Sequence, residues 1–126
     1  MDAQQELFTA LRNSIAQDYS VFDGFMPPED TPYPFVYLAD SQMIDSPNKT
    51  KINGYVTQTI HVWHNSPMKR GTVSVMMLNI KNIARSIKAT TNFHWMVRSV
   101  DQRILADNTT KKPLLHGVVE IEFYFS

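Results

Sequence analysis

The chain has 126 residues, 43% of them apolar and 19% charged, with no net charge and no cysteine. That is enough for one hydrophobic core and one domain over residues 1–126, and the composition is that of a folded chain rather than a disordered one. Disulfides, thiolate zinc sites and thiol catalysis are excluded; no run approaches 18 apolar residues, so no membrane span is expected, and the acidic, amphipathic start is unlike a signal peptide.

Residues 2–17 predict a helix, because Leu7, Leu11 and Ile15 recur at helical spacing with Phe8 beside them. Asp2 stands where a cap belongs. SVFDGF reads as a short strand. MPPEDTPYP then carries four prolines in nine residues, which excludes helix and central strand. PFVYLAD, Pro34–Asp40, is a strand of β-branched and aromatic residues. Ser41–Gly54 is polar and turn-rich, and reads as a long flexible loop ending in the turn signal Asn53-Gly54.

YVTQTIHVWH, Tyr55–His64, is again strand sequence. A helix is expected over about 70–89, where Val73, Met77, Ile80, Ala84 and Ile87 line one face. Phe93–Asp107 predicts a long strand with a bulge. In HGVVEIEFYF, Val119, Ile121, Phe123 and Phe125 alternate with polar residues, giving one buried face and one wet face. The order α-β-β-β-α-β-β predicts a two-layer α+β domain, a mostly antiparallel sheet with two helices on one face.

Histidine is the main candidate for chemistry. His61 and His64 are three apart on a strand, so they point to opposite faces and cannot chelate one ion together. His61 instead shares a face with Tyr55, Thr57, Thr59 and Trp63; Val56, Ile60 and Val62 form the apolar face. No metal ligand set follows from these residues or from His94 and His116. Glu120 and Glu122 share a strand face, where solvated carboxylates are the expected outcome. The chain lacks nucleophile-elbow, phosphate-loop, dinucleotide and zinc-helix motifs, so no catalytic residue and no cofactor are expected.

Charge is distributed unevenly. Residues 1–48 carry eight acids against Arg12 alone, net −7, while residues 49–126 carry eleven bases against four acids, net +7. Two surfaces of opposite sign suit head-to-tail association or a charged partner. Lys81, Arg85 and Lys88 form a stripe at helical spacing, preceded by Lys69 and Arg70. With Met43, Ile44, Lys49 and Lys51 of the polar loop, they are the candidate interface residues. Sequence-specific DNA binding is not expected.

PYPFVYL, the loop after it, the Trp-containing HVWH strand end, the following helix and the closing HGVVEIEFYF resemble the tail-completion proteins of long, non-contractile-tailed phages. These proteins are also called tail terminators or tail-to-head joining proteins. The resemblance runs over roughly residues 5–125 and rests on order and spacing. It implies a structural protein without catalytic residues, assembled as a homo-oligomeric ring, commonly of six. The ring would cap the tail tube and offer a surface to the head-side connector or head-closure protein, with DNA passing through its channel. The implied place is the virion, at the head–tail junction, after assembly in the host cytoplasm. Two alternatives stay open: another junction component, such as a head-closure or minor tail protein, and a small ligand-binding or enzymatic dimer whose pocket is lined by Tyr55, Trp63 and Trp95.

Overall fold

The structure, a computed structural model, describes residues 1–46, 52–109 and 111–126. Its elements are α1 (Ala3–Ile15), β1 (Val21–Asp23), β2 (Phe35–Asp45), β3 (Gly54–His64), α2 (Arg70–Ser86), β4 (Trp95–Asp107) and β5 (Leu114–Phe125). They follow the expected α-β-β-β-α-β-β order. The five strands form one open sheet in the order β1-β2-β3-β5-β4, antiparallel except for the short β1–β2 pair.

Both helices lie on one face of this sheet. In α1 the Asp2 side chain accepts from the Gln5 amide at 2.9 Å and caps the helix. The stripe Leu7, Leu11 and Ile15 is fully buried, as are Val73, Met77 and Ile80 of α2. They meet Val36, Val56, Ile60, Val62, Val119, Ile121, Phe123 and Phe125 from the strands. Truncating one of the large core side chains to alanine costs about 2–5 kcal/mol. Gly117 lets α2 approach closely: a Cβ there would lie 2.8 Å from Val73 and 2.9 Å from the Met77 sulfur.

Three expectations are corrected. The polar loop is shorter than 41–54, because β2 continues to Asp45 and pairs with β3 from Ser41↔Gln58 to Asp45↔Gly54. Its side chains are polar, but its backbone joins a ladder, and Met43 packs against the core. The register shifts between Leu38 and Ser41. Gln58, omitted from the apolar face above, is buried on it and donates to the carbonyls of Ala39 (3.3 Å) and Asp40 (3.4 Å) at this shift. Helix α2 ends at Ser86, not at 89. Ile87 is extended, and the Lys88 carbonyl accepts from the Trp95 amide. The expected irregularity in β4 is present, between Val97 and Ser99.

Candidate functional site

Among the described residues, no helix lies on the second face of the sheet. Parity places Tyr55, Thr57, Thr59, His61 and Trp63 of β3 there, with His116, Val118, Glu120, Glu122 and Tyr124 of β5. Around it lie Tyr37 of β2 and Arg98, Asp101, Arg103 and Asp107 of β4. At one end Arg98 sits over the Tyr55 ring, donates to its hydroxyl and approaches Glu122 at 3.5 Å.

The other end holds a tighter cluster. Trp63 pairs directly with His116 across the β3–β5 ladder, and their rings stack at 3.7 Å with an 8° tilt. His61 is the diagonal neighbour of His116, and its Nδ1 lies 2.5 Å from His116 Nε2. The ring centroids are 4.7 Å apart and the rings are tilted by 18°. That centroid spacing exceeds the nitrogen–nitrogen distance by one imidazole radius at each end. The two nitrogens therefore lie nearly on the line between centroids, and the contact is an edge-to-edge N–H···N hydrogen bond rather than a ring stack.

Val118, the cross-strand neighbour of His61 and Arg103, is only 4% exposed although no helix covers this face. The Trp63 indole N–H is buried and has no hydrogen-bond partner among the described residues. Burial holds both histidines below their usual range. For His61 the nearby Asp40 opposes this and Arg103 adds to it. His116 is pushed down to about 4, by burial first and then by His61, with Asp107 opposing. Among the described residues no three metal-ligating side chains converge, and a direct N–H···N contact leaves no room for an ion between the rings.

The sequence showed that His61 and Trp63 share a face, and by alternation His116 falls on the wet face of β5. That β5 lies beside β3, in this register, is a long-range fact with no local signal. The other histidines are elsewhere: His64 Nδ1 accepts from the Ser66 amide at 3.2 Å, and His94 pairs through its backbone with Ser126. The aromatic pocket of Tyr55, Trp63 and Trp95 is not formed. Trp95 is buried on the helix side of the sheet, while Tyr55 and Trp63 sit on the open side near opposite ends of β3.

The candidate interface residues fall into three groups. Met43 is half-buried and Ile44, its neighbour in the β2–β3 arm, is 57% exposed. Lys69, Arg70 and Arg85 are exposed along α2, and Lys81 is half-buried. Lys88, expected on the same helix stripe, is exposed but lies beyond the end of α2. Lys49 and Lys51 lie outside the described residues. No acidic residue occurs from 46 to 100, so α2 and its flanks are basic, while the first half of the chain exposes Asp2, Asp18, Glu29, Asp30, Asp40 and Asp45. The sheet order keeps β1 and β2 at one edge and β4 at the other.

No family model and no curated protein matches the sequence. Among solved structures, the fold is similar to that of a chain in the virion of a native gene transfer agent particle. The TM-score is 0.65 at 13% identity, over 98% of this chain and 93% of that one. At that identity the likeness is one of fold. No described helix is long and apolar enough to cross a membrane.

Proposed function

We propose that the chain is a structural subunit of a tailed, phage-like virion, and that it forms a ring closing the tail tube on the side that faces the head. The observation that carries this reading is the fold likeness to a virion chain, end to end in both chains. A likeness without a large unmatched remainder favours a shared architectural role over a module borrowed into an unrelated protein. The tail-completion resemblance in the sequence points the same way and supplies the finer position.

Charge placement supports a head-to-tail ring. The exposed acids Asp2, Asp18, Glu29, Asp30, Asp40 and Asp45 of the first half of the chain and the basic α2 offer different patches, and a ring built from one chain joins patch to different patch. Lys69, Arg70, Lys81 and Arg85 are the proposed basic contacts, with the exposed Ile44 of the β2–β3 arm reaching a neighbouring subunit or the tube, while Met43 beside it packs inward. Lys49 and Lys51 extend this proposal, and their charge reversal is expected to impair assembly. The partners are further copies of this chain, the tube subunit and the head-side connector.

Native mass spectrometry over a concentration series tests the reading. Six copies of a 14.5 kDa chain give a closed species of about 87 kDa with few intermediates. If the chain is monomeric alone, the same species is expected on addition of tail tubes. A dimer at every concentration, with or without tubes, would overturn the ring.

A further inference from the structure

We propose that His61 and His116 form a one-proton lock on the open face of the sheet, and that a second proton opens it and exposes the apolar ground beneath. Two imidazoles in line through facing nitrogens hold one hydrogen between them, at 2.5 Å. In the neutral pair one further hydrogen sits on an outer nitrogen. In the singly charged pair both outer nitrogens are protonated and the bridge is unchanged. In the doubly charged pair both facing nitrogens carry hydrogen. Two N–H groups then point at each other, like charges meet, and the bridge breaks.

The surroundings set which form is held. From β2, Asp40 and the Tyr37 ring, 6.3 Å from His61, face the pair. From β4, Arg103 opposes protonation and Asp107 favours it at His116. On β5, Glu120 is the other diagonal neighbour of His61. No helix among the described residues packs on this side. His61, where Asp40 favours the charge, takes the first proton, and a second would fall on His116, which burial and the charged His61 both disfavour. The first proton is therefore accommodated and the second is not.

Breaking the bridge has a structural consequence. Val118 owes its burial on an otherwise uncovered face to the side chains around it, with His61 across the ladder and His116 two residues away on the same face. Trp63 keeps its indole N–H buried, without a partner among the described residues, while His116 lies on it. Parting the histidines opens Val118 and Trp63 to water or to another surface. Acidic conditions thus convert a closed polar face into one with an exposed aromatic–aliphatic patch.

The test is nitrogen-15 NMR of the full-length labelled chain, following scalar coupling across the hydrogen bond between His61 Nδ1 and His116 Nε2. The coupling is expected at neutral pH and is expected to survive the first protonation. It should vanish with the second, in the same step that moves the Trp63 indole N–H signal, while amides of α1 and α2 keep folded shifts. Absence of coupling at neutral pH, with both histidines titrating independently near 6.5, would overturn the lock. His116→Gln should abolish the step in the Trp63 signal that accompanies the second protonation; a Trp63 titration unchanged in that variant would also overturn the lock. If the variant does not fold, the wild-type coupling and its loss decide the matter alone.

Discussion

Thr90 donates its hydroxyl hydrogen to a carboxylate oxygen of Glu6 at 2.6 Å, across 84 residues of sequence. The same carboxylate accepts from the Asn92 amide at 3.0 Å and from Asn92 Nδ2 at 2.6 Å. Trp95 Nε1 in turn donates to Thr90 at 2.9 Å. The chain of bonds ties α1 to the connection between α2 and β4. Glu6 is nearly buried, on the same helix as Leu7 and Leu11. Glu6→Ala leaves three donors without an acceptor, so its melting temperature should fall well below that of Gln5→Ala, an exposed neighbour on the same helix. A Glu6→Ala, Thr90→Val double variant should lose less than the two single losses combined, because one network is removed twice. Additive losses in thermal melts would refute the network.

The Thr90 hydrogen bond is the main cause that holds the Glu6 carboxyl below its ordinary value. A carboxyl lowered by folding contributes stability that is present above its unfolded value, near 4.3, and lost as pH falls through the folded one. His116, also lowered, acts over a different window. The unfolded chain binds its proton near 6.5 and the folded chain only near 4, so stability falls as pH drops between them. Melting temperature is therefore expected to decline from about pH 6.5 downward in the wild type. In His116→Gln the decline below pH 6.5 should be shallower, with the part due to the buried His61 remaining. Identical pH profiles would remove the His116 contribution.

Gly117→Ala places a methyl against Val73 and the Met77 sulfur, both on α2. Overpacking of this kind costs about 1–3 kcal/mol. Because the obstruction is side chain rather than backbone, Val73→Ala in the same chain should recover part of the loss. Urea unfolding of the single and double variants measures both effects. At Gly54 the new Cβ would meet the Ile44 carbonyl oxygen, which is backbone. Gly54→Ala therefore has no side-chain rescue and should distort the β2–β3 arm.

Gln58→Ala withdraws the Nε2 donor from the Ala39 and Asp40 carbonyls, where the β2 register shifts. The cost of unpaired buried acceptors is about 1–3 kcal/mol. Amide exchange should rise first in residues 39–43, and a uniform rise over the whole sheet would contradict this local role.

Arg70 stands in the first turn of α2, where no acid is present, so it opposes the helix dipole. Arg70→Glu should stabilise the isolated chain by about 0.3–1 kcal/mol. Under the ring proposal the same substitution weakens assembly, as should Lys81→Glu with Arg85→Glu. Opposite signs in thermal melts and native mass spectrometry would separate interface from fold. Assembly that stays intact in all of these variants would return the α2 charges to a solvated face.

Local pattern sufficed for the elements and their faces. Helical spacing of Leu7, Leu11 and Ile15, and alternation of Val119, Ile121, Phe123 and Phe125, each report burial through the period of a single element. These periods imposed the α+β class and the α-β-β-β-α-β-β order. They placed His61 and Trp63 together because residues two apart on one strand share a face whatever lies beside it. Sequence could not reveal that Ser41–Asp45 is strand, since polar side chains there conceal a ladder that β3 supplies. It could not end α2 at Ser86, because the Lys88 carbonyl is taken by Trp95 from the next strand. Nor could it join Glu6 to Thr90 or His61 to His116. Those pairings depend on register and on which element lies next to which, and these are decided only when separate apolar faces are buried against one another.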